Sequence, residues 1–217
     1  NIEIAQKQLA NLGAGGEIAR NALQVATEGA HRIRFIVREL LLLAREEPTV
    51  GSATDLGETV ESTLALARVE IEKTARVVTE LEPVPLVKGS VPRVAQIVLN
   101  LVLNSLEAMR SREASRNELT IRVRRSGDRH VLLEVADNGV GVDGADASRI
   151  FLPFFTTKPA GHGTGLGLAI TQRLVSELGG DISFTSERGA GTTFRVLFPA
   201  YEEERVAVPL SSSSHHS

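Results

Sequence analysis

The chain contains no cysteine and no tryptophan among its 217 residues. The absence of cysteine excludes disulfides and thiolate zinc sites, and it is typical of proteins from reducing compartments. Basic charge is also scarce, because 24 Lys and Arg face 27 Asp and Glu and leave a formal net charge of −3. Long-range attraction to nucleic acid is therefore not expected, and any polyanion must be held by local geometry.

Long apolar runs are missing as well. No stretch approaches the roughly 20 apolar residues that a membrane-spanning helix needs. Apolar residues still make up 42% of the chain and charged residues 24%, so a sizeable core can form. We predict no membrane segment, no nucleic-acid partner and a cytoplasmic location, either free or as the cytoplasmic part of a membrane-bound sensor.

Residues 1–48 have the spacing of two amphipathic helices. A glycine-rich segment at 13–16 interrupts the first apolar stripe, and Pro48 ends the second helix. The second stripe, which includes Leu40 to Leu43, is wider than one partner helix would cover. This width predicts a helical hairpin that pairs with a second subunit in a four-helix bundle, and hence a homodimer.

Residues 54–200 alternate helical and extended patterns. Thr54 and Asp55 are candidate caps of a helix that runs to about Ile71, and Ser90 and Pro92 open a longer helix that ends near Arg112. Short strands are predicted at 77–78 and 86–87, longer strands at 118–125, 130–137, 181–186 and 192–198, and a last helix at 165–178. We expect largely antiparallel neighbouring strands, hence an α+β, two-layer α/β sandwich preceded by the hairpin. Residues 201–217 are interpreted as a tail, linker or tag remnant.

The long helix carries a row of amides. Gln96, Asn100 and Asn104 lie one turn apart, although asparagine is a mediocre helix former. The amides can satisfy backbone groups of a neighbouring segment. Alternatively, they point into a polar pocket, where an amide oxygen can bind Mg²⁺ that takes its negative charge from substrate phosphates.

Two glycine-rich segments lie between strand and helix patterns. The first, Asp137-Asn138-Gly139-Val140-Gly141, follows a strand and suits either an Asx-type turn or the approach of a flat ligand whose amine donates to Asp137. The second, at 161–167, opens a helix, where backbone N–H groups and the helix dipole can bind phosphate. It is neither a P-loop nor a dinucleotide fingerprint.

An aromatic cluster separates these segments. Phe151, Phe154 and Phe155 precede Thr156, Thr157 and Lys158. The rings can simply belong to the core, or they can anchor the root of a mobile lid whose Lys158 reaches phosphate oxygens.

Taken in order, these motifs resemble the catalytic, ATP-binding domain of sensor histidine kinases, in the superfamily shared with Hsp90, type II topoisomerases and MutL (GHKL, or Bergerat fold). "NLVLNSLEAM" is similar to the N box, "DNGVGV" to the first glycine box, "FLPFF" to the F box and "GHGTGLGL" to the second glycine box. "GAGTTF" at 189–194 resembles the closing glycine segment, and the short lid is most similar to kinases of the nitrogen-regulation type.

The resemblance implies ATP and Mg²⁺ as cofactors. Asn104 would coordinate the Mg²⁺ that bridges the ATP phosphates, with Asn100 beside it as a phosphate or metal partner. Asp137 would accept from the adenine amine, and Thr192 would assist through water. Gly139 and Gly141 would make room for the base. The lid and phosphate contacts would come from Phe155, Thr156, Thr157, Lys158, Gly163, Thr164, Gly165, Leu166 and Gly167. Asn100, Asn104 and Lys158 would form the catalytic set.

The hairpin resembles the family's dimerisation and phosphoacceptor domain. His31 is followed by Arg32 and Ile33 rather than by the acidic residue and proline of the phosphoacceptor motif. We therefore expect His31 to be a solvated bundle residue and the phosphorylated histidine to lie upstream of Asn1.

The predicted function is an ATP-dependent protein-histidine kinase core that supplies phosphate to an aspartate of a response-regulator receiver domain. The alternatives are a GHKL-type ATPase and a nucleotide-binding module without kinase activity. Hydrolytic relatives carry a glutamate one turn before the metal asparagine, where this chain has Asn100, an amide that takes no proton at neutral pH. An anti-sigma serine kinase is a further relative, which the dimerisation-like hairpin disfavours.

Overall fold

The computed structural model describes residues 52–157 and 164–202. The predicted hairpin, including His31, and the predicted tail beyond Glu202 lie outside these residues. The chain divides into two units, residues 1–48 and residues 49–217. Everything below concerns the second unit.

Three helices and seven strands make up the described part of the chain. They are β1 (Ala53–Thr54), α1 (Leu56–Thr74), β2 (Arg76–Leu81), β3 (Val87–Lys88), α2 (Val91–Met109), β4 (Glu118–Ser126), β5 (His130–Asp137), α3 (Gly167–Glu177), β6 (Asp181–Glu187) and β7 (Gly191–Pro199). A short 3₁₀ helix at Ala114–Arg116 follows α2. The predicted α+β class is confirmed.

A five-stranded sheet with the order β2-β4-β5-β7-β6 forms one layer. The pairs β4–β5, β5–β7 and β6–β7 are antiparallel, as expected, but β2 runs parallel to β4. The expectation of antiparallel neighbours missed this pair because helix α2 lies between β2 and β4 in the chain, and a crossover helix brings strands together in parallel.

Helix α2 is the centre of the helical layer, since it contacts α1, α3 and strands of the sheet. Most of its large apolar side chains are completely buried, as are alternate residues of the central strands. This core consists mainly of Val94, Ile97, Val98, Leu101, Val102, Met109, Leu119, Ile121, Val123, Val131, Leu133, Val135, Val196 and Phe198. One face of α2 is thus committed to the core, which leaves its amide row for the contact with α3.

The predicted start of α1 needs correction. Only Asp55 caps α1, accepting from the backbone N–H of Glu58 at 2.9 Å. Thr54 lies instead in β1, which pairs with β3, and its hydroxyl donates to the carbonyl of Gly89 at 2.6 Å. Propensity at a cap could not reveal this pairing, because the partner strand is more than thirty residues away.

The open face of the sheet carries a row of alternating charges. Glu80, Arg122, Glu134 and Arg195 face one another across β2, β4, β5 and β7. Burial alone would raise the pKa of Glu134, but hydrogen bonds from Arg124 and Arg195 hold that pKa below its usual range. The row links four neighbouring strands. It therefore stabilises the end of the sheet at which β5 stops, at Asp137.

Candidate functional site

Asn104 carries a polar group that the fold does not satisfy. Its Nδ2 atom is buried and has no hydrogen-bond partner among the described residues. The start of α3 lies against it, since a Cβ built on Gly167 would be 3.7 Å from this nitrogen. Buried polar atoms are nearly always paired, so an unpaired amide beside a helix N-terminus fits a ligand. A half-turn of the amide exchanges donor and acceptor, which suits either a phosphate oxygen or a hard cation.

Asn100, one turn earlier, is hydrogen-bonded within the protein through both its amide oxygen and its amide nitrogen. Its Oδ1 accepts from Gln96 at 2.9 Å, and its Nδ2 donates to the carbonyl of Gly167 at 3.2 Å and to the hydroxyl of Thr171 at 3.3 Å. The amides of the row therefore have different roles. Asn100 satisfies groups of a neighbouring segment, whereas Asn104 does not.

Asp137 ends β5 as a nearly buried carboxylate, 8% exposed. Its Oδ1 accepts from the backbone N–H of Gly139 at 2.9 Å. Burial raises the pKa of Asp137, and the Gly139 N–H, the Ser105 hydroxyl and the Thr192 N–H oppose that rise. The two oxygens of a carboxylate offer about four acceptor positions, so Asp137 keeps capacity to accept from a ligand N–H.

The glycines of the first glycine segment are required by the protein backbone. A Cβ on Gly139 would be 2.8 Å from the Ala108 carbonyl oxygen, and one on Gly141 would be 2.1 Å from that of Glu187. A Cβ on Gly191, the first residue of β7, would be 2.0 Å from the Asp137 carbonyl oxygen. The room predicted for an adenine base is thus first of all room for three chain segments that meet behind Asp137.

The junction of these segments depends on a residue that the sequence patterns did not identify. Arg112, three residues beyond α2, donates through Nη1 to the carbonyls of Asn138, Gly139 and Gly189. Asn138 in turn accepts from the Glu118 N–H at 3.0 Å. An arginine in a polar segment after a helix carries no sequence signal for this role, because its acceptors are backbone atoms of other segments.

The second glycine segment joins the F box rather than standing alone. The predicted helix at 165–178 starts two residues later, at Gly167, and its first turn has no side-chain cap. Gly165 has φ +65°, and a Cβ there would be 2.4 Å from the carbonyl carbon of Phe154. The Phe154 N–H donates to the Gly165 carbonyl at 2.9 Å. The start of α3 is therefore fixed by the aromatic cluster.

The aromatic residues divide between core and surface. Phe151 meets Phe184 edge to face at 5.9 Å, and Arg149 covers the ring of Phe155 at 4.4 Å. Phe154, by contrast, is 76% exposed and has φ +64°, which is unusual for a bulky residue. Phe151 and Phe155 thus anchor this segment, and Phe154 does not.

The other residues predicted to contact the nucleotide lie in different surroundings. Thr156 and Thr157 are exposed, and the hydroxyl of Thr164 accepts from the Leu166 N–H at 3.3 Å. Thr192 lies opposite Asp137 on β7, and its hydroxyl is 2.8 Å from that of Ser186. Lys158 and Gly163 lie outside the described residues.

Residues 52–157 and 164–202 contain no group of three or more His, Asp or Glu that could hold a metal ion. Over the same residues no helix is long and apolar enough to cross a membrane.

Comparison with known proteins gives a family match. The family model described as histidine kinase-, DNA gyrase B-, and HSP90-like ATPase matches residues 89–202, which is 114 of the 217 residues. These residues include the amide row, both glycine segments and the aromatic cluster.

Individual relatives match a larger part of the chain than the family model does. The chain is 34% identical to the sensor histidine kinase ZraS of Klebsiella oxytoca over 194 residues, which are 88% of this chain and 40% of that protein. It is also 34% identical to the sensor kinase CckA of Brucella abortus over 198 residues, covering 83% of this chain and 20% of CckA. The chain thus spans about two fifths or less of the curated relatives that it matches.

A solved structure of a histidine kinase domain is also similar to this chain. The nucleotide-free catalytic domain of the histidine kinase ThkA is 27% identical and superposes with a TM-score of 0.59, covering 69% of this chain and 97% of that domain.

Proposed function

Because this chain belongs to the histidine kinase-, DNA gyrase B-, and HSP90-like ATPase family, we propose that it is the ATP-binding core of a sensor histidine kinase. The proposal states that it transfers the γ-phosphate of ATP to a histidine, and that the phosphate then passes to an aspartate of a response-regulator receiver domain. The observation that carries it is the buried, unpartnered amide of Asn104 beside the start of α3.

The adenine base is assigned to Asp137. The carboxylate accepts from the Gly139 N–H and keeps a further acceptor position for the exocyclic amine. Neighbouring backbone segments fix the carboxylate in place, which lowers the entropic cost of recognising a flat base.

The phosphates are assigned to the N-terminal turn of α3. This helix has 11 residues and no side-chain cap, so the positive end of its dipole and its first N–H groups face the ligand directly. Such a site binds phosphate without an excess of basic side chains, which agrees with the net charge of −3. Contacts from Lys158, Gly163 and Thr164 stay predictions.

Asn104 would hold Mg²⁺, since an amide oxygen suits a hard cation that keeps waters and phosphate oxygens as its other ligands. Bound Mg²⁺ would neutralise charge that develops on the phosphates during transfer. The protein then needs to position the nucleotide rather than supply a base. Asn100 supplies none, because its amide is neutral and its donors and acceptor are hydrogen-bonded within the protein.

Dimerisation through residues 1–48, a receiver-domain partner and a cytoplasmic location are further parts of the proposal. They are supported by the likeness to sensor kinases over more than four fifths of this chain.

The metal assignment is tested with Asn104→Ala. We expect Mg²⁺ and ATP together to raise the Tm of the unaltered chain, because a ligand that binds only the native state stabilises it. In N104A the part of the shift that depends on Mg²⁺ should disappear, with an affinity for Mg-ATP about 10- to 100-fold weaker. The control is ATP with EDTA, where the two proteins should behave alike. An unchanged Mg²⁺-dependent shift in N104A would refute the assignment.

Kinase activity is distinguished from ATP hydrolysis by following where the γ-phosphate of ATP goes. With γ-labelled ATP and an added phosphoacceptor hairpin from a sensor kinase, we expect label on the histidine of that hairpin and little free phosphate. The reason is that the residue one turn before Asn104 is Asn100, a neutral amide that cannot take a proton from water. Steady release of phosphate without protein labelling would favour the ATPase alternative.

A further inference from the structure

Asn100 lies at the buried contact between α2 and α3. The residue is 2% exposed, its partner Thr171 is completely buried, and Gln96 on the preceding turn is 5% exposed. Three polar residues at this depth are costly unless their groups are paired.

The hydrogen bonds have one consistent direction. Gln96 Nε2 donates to Asn100 Oδ1, and Asn100 Nδ2 donates to Thr171 Oγ1 and to the carbonyl of Gly167. The Thr171 hydroxyl donates to the same Gly167 carbonyl at 2.8 Å. Both amide hydrogens and one of the two lone pairs of the Asn100 oxygen are therefore used, so donation to a phosphate would have to break one of these bonds, and a metal ion could reach only the second lone pair of this buried oxygen.

These bonds converge on Gly167, the first residue of α3. Gly167 also lies against the unpartnered amide of Asn104. The bonds from Asn100 to the Gly167 carbonyl and to the Thr171 hydroxyl tie the first turn of α3 to α2, while the bond from Thr171 to the Gly167 carbonyl lies within α3 and aligns the two acceptors. The position of that turn relative to Asn104 thus depends on Asn100.

We propose that Asn100 is a positioning residue of the nucleotide site: through Thr171 and the Gly167 carbonyl it holds the N-terminal turn of α3 beside Asn104, and it does not itself bind the metal. The inference rests on the proposed function, because it assigns a role within the same ATP site.

The first test is Asn100→Asp, which keeps the shape of the side chain but replaces both N–H donors with an acceptor. A positioning role predicts that the affinity of the full chain for ATP at saturating Mg²⁺ falls by about tenfold, since a carboxylate repels the Gly167 carbonyl. A direct ligand predicts the reverse, because a carboxylate binds Mg²⁺ at least as well as an amide. Affinity that is unchanged or higher in N100D overturns the inference.

The second test uses Thr171 and introduces no charge, so it decides the matter even where N100D folds poorly. Thr171→Val should weaken ATP binding by a similar factor of about ten, whereas Thr171→Ser keeps the hydroxyl and should restore the affinity. The matched control is Thr63→Val on α1, because Thr63 is equally buried and its hydroxyl donates to the carbonyl four residues earlier at 2.7 Å. T63V should bind ATP like the unaltered chain.

The double variant N100D/T171V completes the test. If both residues act on Gly167, the double variant should bind ATP about as weakly as either single variant. Additive losses would overturn the inference, as would normal binding in T171V. Failure of the unaltered chain to bind Mg-ATP is a different result, which refutes the proposed function itself.

Discussion

Replacing Asp137 with asparagine is expected to weaken ATP binding by about 100-fold or more, while the unliganded chain stays at least as stable as before. The N–H of Gly139 donates to one carboxylate oxygen at 2.9 Å. In D137N the amide oxygen must take that place, because the amide nitrogen would oppose one donor with another. The nitrogen then points to where the adenine amine, also a donor, is expected.

The D137N substitution should weaken ATP binding but should not lower the stability of the unliganded chain at neutral pH. Burial raises the pKa of Asp137 in the folded state. A carboxyl whose folded pKa lies above its unfolded value contributes stability below the unfolded pKa and loses it as the pH rises through the folded pKa. At neutral pH the ionised group is therefore buried at a cost, which a neutral amide avoids. The Tm of D137N relative to the unaltered chain should increase as the pH rises through the titration of Asp137.

Calorimetric titration with ATP and thermal unfolding over a pH series measure the two effects. The matched control is Asp128→Asn, since Asp128 is fully exposed in the β4–β5 turn and should change neither property. Full ATP affinity in D137N would show that Asp137 does not read the adenine amine.

The second large effect concerns the fold. Gly141→Ala should lower the free energy of unfolding by about 3–5 kcal/mol, because its Cβ would be 2.1 Å from the Glu187 carbonyl oxygen. Neither of these backbone segments can move freely, since Gly189 N–H donates to the Val140 carbonyl at 2.8 Å between them.

Gly127→Ala provides the matched control. Gly127 has φ +66° and Gly141 has φ +69°, so alanine is strained to the same degree at both positions. A Cβ on Gly127 meets nothing within 4 Å, and we expect a loss of only about 1 kcal/mol there. The difference in the free energy of urea unfolding between the two variants measures the effect of the Cβ collision apart from that of the backbone angle. Equal losses would mean that the first glycine segment is needed for its backbone angles alone.

Most of the predicted elements are present because their signals are local. Asp55 caps α1, Pro92 lies in the first turn of α2, and the alternating residues of β4 and β5 form strands close to the predicted bounds. Each signal comes from residues within a turn or two of one another, so no knowledge of the fold is needed to interpret it.

The parallel pairing of β2 with β4 and the pairing of β1 with β3 could not be predicted in the same way. Their hydrogen bonds join residues far apart in the chain, and short strands such as Ala53–Thr54 carry too few residues for a pattern. Arg112 was missed for the same reason, because its acceptors are carbonyls of two other turns.

By itself the sequence determined the order of the motifs, the family and which side chains could bind a nucleotide. Only the tertiary structure separated Asn100 from Asn104. The two asparagines are one helical turn apart and chemically identical, and they differ because Gly167 and Thr171 of α3 satisfy the first and leave the second unpaired. The same holds for the glycines, whose need for φ above zero is local but whose collisions depend on a segment about fifty residues away.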